Sequence, residues 1–151
     1  MGSSALVLVG AVDWEHPAWR GHFYPEDLPD DWLLSYYNTQ FEAVYLTAER
    51  WRDVSAATWT QWLADTRDGF HFILEAAAGA ASMPASDRVV VADAAWEAKH
   101  VWWLDAQSDL RALAARIAQH AARAEPLFVF SRSGDLARLE QVKSLKEVLG
   151  Y

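Results

Sequence analysis

Cysteine is absent from the 151 residues, which excludes disulfides, thiolate chemistry and sulfur-ligated metal sites. A chain without disulfides fits a reducing compartment, so we expect a cytoplasmic location. Long hydrophobic runs are also lacking near the start, where Leu6–Val12 spans only seven residues and Met1–Ser4 carries no basic side chain. A bilayer span needs about 20 apolar residues. We therefore expect neither a signal peptide nor a membrane partner.

Positive charge is scarce, with 13 Lys and Arg against 21 Asp and Glu, for a net charge of −8. Such a surface repels phosphate, so we expect no nucleic-acid partner. Glycine-rich phosphate-binding motifs are missing, and so is the Gly-x-Ser-x-Gly nucleophile elbow. We accordingly expect no cofactor and find no motif-level support for a hydrolase triad.

Tryptophan, by contrast, is abundant, with nine residues in a chain that is 52% hydrophobic. Indole rings are costly to leave in water, so they favour a core, a cleft or an interface. The length predicts one domain, residues 1–151, and is too short for a complete eight-unit α/β barrel of about 250 residues.

Hydrophobic patterning predicts an α/β fold with about five mainly parallel strands flanked by helices. The predicted strands are apolar or β-branched runs separated by helical patterns: Leu6–Val12, Phe41–Ala48, Phe70–Glu75, Arg88–Ala92 and Leu127–Phe130. Only about seven residues separate Ala92 from His100, fewer than a parallel crossover needs. We therefore expect His100–Leu104 to form a loop or a side hairpin.

The most distinctive stretch is Val9–Pro25, an apolar strand that opens into a loop of aromatic and charged residues. It resembles the opening of the family called domain of unknown function 72, the YecE-like proteins. The matching positions follow that family's pattern without gaps: Gly10, Trp14, Trp19, Gly21, Phe23, Tyr24 and Pro25. About 120 residues of the chain share the resemblance.

Members of that family are longer, barrel-like (β/α) proteins, so the resemblance implies an incomplete (β/α) barrel with its middle removed. The alanine-rich segment 76–87 marks the expected internal join. Closing the family's barrel leaves the last strand beside the first. The expected sheet order is therefore Arg88–Ala92, Leu127–Phe130, Leu6–Val12, Ala43–Thr47 and Phe70–Glu75.

The same resemblance places the family's candidate site at the carboxyl ends of its strands, where this chain has other residues. Tyr45 and Thr47 occupy positions where the family has an acid and an amide. Arg52 matches the family's arginine, and Trp51 replaces its tyrosine. Glu75 replaces a lysine. The family's Arg-x-His-Gly aligns with Val91–Ala94, and both polar groups are lost. Catalytic groups must lie within about 0.5 Å of their productive positions. Replacement of nearly all of them therefore argues, on chemical grounds, against retention of the family's reaction.

Candidate binding residues all fall in or beside the expected strand-end loops: Asp13, Trp14, His16, Trp19, Arg20, Tyr24, Thr47, Glu49, Trp51, Arg52, Glu75, Asp93, Trp96 and Arg132. Tryptophans with Arg20, Arg50 and Arg52 would form an aromatic and cationic interface; alternatively, Trp14 and Trp19 simply close the barrel end. Asp13 and the nearby histidines do not reach the three or four ligands of a metal site, and we expect no metal. Segment Ser131–Gly134 could hold an anion with Arg132, or Ser133 could cap the last helix.

Two functions remain open from the sequence. The favoured one is a degenerate, non-catalytic YecE-like domain that binds or assembles with a protein partner or with a second copy, since a five-stranded sheet has two free edges. The alternative is a small-molecule enzyme of hydrolase or lyase type, with a re-formed acidic pocket of Asp13, Glu49, Glu75 or Asp93.

Overall fold

The computed structural model describes residues 6–78, 83–106 and 109–151. Within them, five of the six strands are followed by at least one helix. The strands are β1 Val7–Val12, β2 Ala43–Leu46, β3 His71–Glu75, β4 Val89–Ala92, β5 Val101–Trp103 and β6 Leu127–Ser131. The helices are α1 Leu33–Gln40, α2 Ala48–Trp51, α3 Ala56–Ala64, α4 Ala94–His100, α5 Leu110–Arg123 and α6 Leu136–Leu149.

The six strands form one parallel sheet in the order β4-β3-β2-β1-β6-β5, an incomplete barrel flanked by helices. The predicted pairing of the first and last apolar strands is confirmed, with Val7 opposite Leu127 and Ala11 opposite Ser131. The predicted position of Arg88–Ala92 beside Leu127–Phe130 is wrong. Strand β4 instead pairs with β3, with Phe72 opposite Val89.

The neighbour of β6 is β5, in the segment that we expected to be a loop. A long crossover is needed only where the chain passes over a face of the sheet to reach a neighbouring parallel strand. Helix α4 instead joins the two edge strands and contacts both β4 and β5. Its seven residues span about 10 Å, so the curled sheet closes its gap with a helix rather than with further strands.

Successive side chains along each strand point to opposite faces of the sheet, so the core is divided between its two faces. One face packs against the outer helices and includes Val9, Val44 and Phe72. The other lines the inside of the barrel and holds Leu8, Ala43, Tyr45, Ile73, Ala92, Val101, Phe128 and Phe130, with Trp96 and Trp103 packed against them. The barrel interior is thus a packed core to which α4 contributes.

Helix starts follow local capping chemistry. Ser55 caps α3, as its position predicts, by accepting a hydrogen bond from the Thr58 amide. Asp135, and not Ser133, caps α6 through the Arg138 amide. The central part of the expected join, residues 79–82, lies outside the described residues. The longest helices of the described chain, α5 and α6, have 14 residues each, and none of its helices is long and apolar enough to span a bilayer.

Candidate functional site

The loop after β1 is held by aromatic residues that point into the molecule. Trp14, Trp19 and Tyr24 are all buried. The Trp19 indole donates to the Gly134 carbonyl at 2.9 Å, and the Tyr24 hydroxyl donates to the Trp14 carbonyl at 2.6 Å. These three predicted site residues therefore pack in the core layer between the sheet and the outer helices and present no aromatic surface to solvent.

Asp13 lies at the turn from β1 into this loop, with a left-handed φ of 65°. Its carboxylate accepts hydrogen bonds from the Trp14 and Glu15 amides and pairs with the Arg50 guanidinium at 2.9 Å. Arg50 also pairs with Glu15 at 3.0 Å and lies about 5 Å from the centres of the Trp14 and Trp62 rings. The geometry fixes the turn and holds the Asp13 carboxylate in an ion pair with Arg50.

His16 and Arg20 serve the same loop. His16 stacks on Trp19 with ring centres 4.3 Å apart, and its Nε2 lies 2.6 Å from the Val12 carbonyl oxygen. Arg20 donates to the Leu28 carbonyl at 2.7 Å and pairs with Asp30 at 2.6 Å. Both side chains tie the loop to its own backbone.

After β2 and β3, the structure brings Trp51 and Glu75 together and leaves Glu49 and Arg52 in solvent. Trp51 is buried, and its indole donates to the Glu75 carbonyl at 2.8 Å, while a Glu75 side-chain oxygen accepts from the Ala48 amide at 2.8 Å. Thr47 precedes α2 without capping it through its side chain. Glu49 and Arg52 are exposed. Glu75 thus anchors the start of α2, and the other carboxylate of this segment faces solvent.

Helix α4 supplies the polar group at the centre of the carboxyl end, which sequence reasoning missed. The Tyr45 hydroxyl donates to the Glu97 carboxylate at 2.5 Å. Burial raises the pKa of Tyr45 far above its ordinary value, and the Glu97 hydrogen bond and charge add to the effect. The phenol is therefore neutral and committed to an interior hydrogen bond.

Two further predicted residues belong to α4 itself. Asp93 caps the helix by accepting from the Trp96 amide at 2.8 Å. Trp96 stacks on His100 and contacts Phe128, with ring centres 4.7 and 5.6 Å apart. They place α4 against the barrel interior.

Arg132 lies over the Trp103 ring, with its guanidinium carbon 3.8 Å from the ring centre. Trp103 in turn packs edge-on against Tyr45 at 5.0 Å. This cation–π contact covers the carboxyl end of β5 and β6.

Segment Ser131–Gly134, which we considered for anion binding, already binds the Asp105 carboxylate. Asp105 accepts hydrogen bonds from the Arg132 and Ser133 amides and from the Ser131 and Ser133 hydroxyls. Burial acts to raise the pKa of Asp105, but these hydrogen bonds outweigh it, and the pKa lies below its ordinary value. Asp105 therefore takes the place that an external anion would need.

Apart from the exposed Glu49 and Arg52, the charged predicted residues contact backbone groups or other side chains of the chain. Within residues 6–78, 83–106 and 109–151, no three or more side chains of the His, Asp or Glu type converge closely enough to hold a metal ion. Tyr45 and Glu97 gave no motif signal because their partner lies on another element. Arg50, which we expected in an aromatic and cationic interface, pairs with Asp13 and Glu15.

Comparison with known proteins gives one family. A family model described as "Protein of unknown function DUF72" matches residues 8–146. None of the curated proteins matches the chain. The crystal structure of a DUF72 family protein from Thermotoga maritima aligns with 97% of this chain at 19% identity and a TM-score of 0.42. The alignment covers 54% of that protein, so the present chain spans about half of its length.

Proposed function

The chain belongs to the DUF72 family, and from that premise we propose that it is a non-catalytic member that acts as a binding or assembly module. The observation that carries the proposal is the position of α4. Trp96 packs against the interior core, where it contacts Phe128, and Glu97 accepts a hydrogen bond from the Tyr45 hydroxyl near the carboxyl end of β2. In (β/α) barrels this end is where substrates bind.

The polar groups nearby support the same proposal because each has a structural partner. Asp13 pairs with Arg50, Glu75 accepts from the Ala48 amide, and Asp93 caps α4. General acid–base catalysis needs a titratable group within reach of a bound substrate. Of the four carboxylates in the alternative acidic pocket, three are used in this way and Glu49 is exposed. The arrangement favours a scaffold over an enzyme.

A binding module acts through its surface, and self-association is one form of assembly that we propose. Since α4 contacts both edge strands, the partner would contact the outer surface rather than extend the sheet. Light scattering coupled to size exclusion, at tens of micromolar protein, tests self-association directly. A mass of one chain throughout would leave a different protein as the partner.

The test of the non-catalytic role compares the wild type with the Tyr45→Phe/Glu97→Gln variant, which removes the interior pair with little change in shape. Both proteins, and a sample without protein, are incubated with a metabolite extract of the native host, and the three extracts are compared by mass spectrometry. We expect no metabolite to differ between them. A metabolite that the wild type consumes relative to the sample without protein would contradict the proposal and favour the enzyme alternative.

A further inference from the structure

A cavity of about 600 Å³ opens at the amino-terminal end of the barrel, opposite the end at which we predicted the site. Residues at the start of β1, β3 and β6 line it, as do the loops that lead into β3 and β4. We propose that this cavity binds a zwitterion with an apolar body, of the chemical class of a hydrophobic α-amino acid. The inference goes beyond the assembly role proposed above and does not rest on it.

Two guanidiniums bring positive charge to the cavity lining. Arg67 donates to two backbone carbonyls, and Arg88 donates to two carbonyls and a hydroxyl. All of these acceptors are neutral, and in the part of the chain that the structure describes neither guanidinium forms an ion pair. Because a guanidinium has five N–H groups, each of the two keeps N–H donors and an unpaired charge for a ligand.

Two carboxylates of the same lining bring the opposite charge. Asp68 and Asp87 are the sequence neighbours of Arg67 and Arg88. Within residues 6–78, 83–106 and 109–151, neither carboxylate forms a hydrogen bond or an ion pair. The arginines are turned to backbone carbonyls instead. The cavity therefore presents charges of both signs that the chain itself leaves unpaired.

The other ionisable groups of the lining already have partners. Glu42 accepts from Lys146 at 2.5 Å, which closes that ion pair. His71 Nδ1 lies 3.0 Å from the Gly69 carbonyl oxygen. The charges left for a ligand are thus those of the two arginines and the two aspartates.

A ligand with one charge would suit only half of this lining. An amine would meet the guanidiniums as well as the aspartates, and an acid would meet the aspartates as well as the guanidiniums, so each attraction is offset by a repulsion. A zwitterion can place its carboxylate at the guanidiniums and its ammonium at the aspartates. Because backbone carbonyls already hold both guanidiniums, little of their rotamer freedom is lost when a carboxylate binds.

One wall of the cavity is apolar and explains why the ligand should have an apolar body. Leu6 and Leu8 come from the β1 side, and Pro126 and Phe128 from the β6 side. Leu8 and Phe128 belong to the interior core, where each is only 3% exposed. This wall offers a rigid surface for a hydrocarbon or aromatic group, and the volume falls within the range of small-molecule sites, about 300 to 1,000 Å³.

Three probes with the same aromatic ring test the proposal. L-phenylalanine carries both charges, phenethylamine lacks the carboxylate, and phenylpropionate lacks the ammonium. Binding is followed by protein-observed NMR at millimolar probe concentration. We expect phenylalanine to bind about fivefold more tightly than either analogue, as one more exposed ion pair implies, and to shift the resonances of Leu8, His71 and Phe128.

The same titrations can contradict the proposal. Undetectable binding of phenylalanine, an analogue that binds as tightly as phenylalanine does, or shifts confined to another part of the surface would each overturn it.

A charge variant tests the role of the aspartates. Asp68→Asn/Asp87→Asn breaks no contact of the described chain, so the variant should fold. Its affinity for phenylalanine should fall about fivefold, whereas its affinity for phenylpropionate should rise because a repulsion is removed. The exposed pair Asp53→Asn/Glu147→Gln carries the same charge change away from the cavity and should leave both affinities unchanged.

Circular dichroism checks the fold of both variants. Unaltered phenylalanine affinity in the folded Asp68→Asn/Asp87→Asn variant, or an equal loss in the control variant, would overturn the proposal.

Discussion

Gly10 and Tyr37 show how single residues hold the first two strands together. The buried Tyr37 hydroxyl accepts from the Ala11 amide at 2.8 Å and donates to the Ala43 carbonyl at 2.7 Å. Burial raises the pKa of Tyr37 well above its ordinary value, so it serves both strands as a neutral phenol. Gly10 leaves the room in which this bridge fits, which gives its match to the family pattern a physical cause.

We expect Gly10→Ala to be severely destabilising. Its added Cβ would lie 1.8 Å from the Ala43 carbonyl oxygen and 2.8 Å from the Tyr37 hydroxyl, so backbone must move. The free energy of unfolding, measured by urea denaturation, should fall by about 3 kcal/mol or more. Gly69→Ala is the matched control, since its Cβ meets nothing within 4 Å, and should change stability by less than about 1 kcal/mol. Similar losses in the two variants would contradict this account.

Helix α4 is the element on which the proposed function depends. None of its residues is fully buried, so its position rests on the Asp93 cap, the Trp96 contacts and the Glu97 bond to Tyr45. Elements with few buried contacts open at a lower free energy than the core does. Loss of its cap should therefore accelerate hydrogen exchange more in α4 than loss of a cap does in the other helices.

Asp93→Ala removes the cap that accepts from the Trp96 amide, and we expect a loss of about 1 kcal/mol. Hydrogen exchange should speed up in α4 more than in the neighbouring strands. Thr47→Ala provides the comparison, because Thr47 precedes α2 without a side-chain capping bond and should be nearly neutral. If α4 exchanged at the wild-type rate in the Asp93 variant, the cap would not be what holds it.

At the scale of the whole molecule, three tyrosines are kept neutral by the fold. Burial raises the pKa of Tyr24, Tyr37 and Tyr45 above the ordinary value of 10.0, and the charge of Asp13 adds to the effect at Tyr24. A raised pKa in the folded state means that their contribution to stability is fully present below pH 10 and is lost as the pH rises further, because the unfolded chain ionises first.

Alkaline unfolding should therefore be steep. Each of these tyrosines lowers the free energy of unfolding by about 1.4 kcal/mol per pH unit above 10. Tyrosinate absorbance should rise together with the loss of near-ultraviolet circular dichroism. Alkaline unfolding of the Tyr45→Phe variant should release about one proton fewer than that of the wild type. The Tyr151→Phe variant, which also lacks one phenol, is the control. Ionisation of all five tyrosines before unfolding would contradict the prediction.

The sequence by itself determined the alternating α/β pattern, because a buried parallel strand is a continuous apolar run. The motif in Val9–Pro25 indicated the family, and the resemblance to longer barrels implied the pairing of β1 with β6. It also located the strand-end loops, yet Trp14, Trp19 and Trp51 turned inward, since the partners of an indole N–H are not visible along the chain. The tertiary structure alone decided the sheet order, the bridge that α4 makes between the edge strands, and the meeting of Tyr45 with Glu97, 52 positions apart. Such contacts depend on how far the sheet curls, and curl is a property of all six strands together.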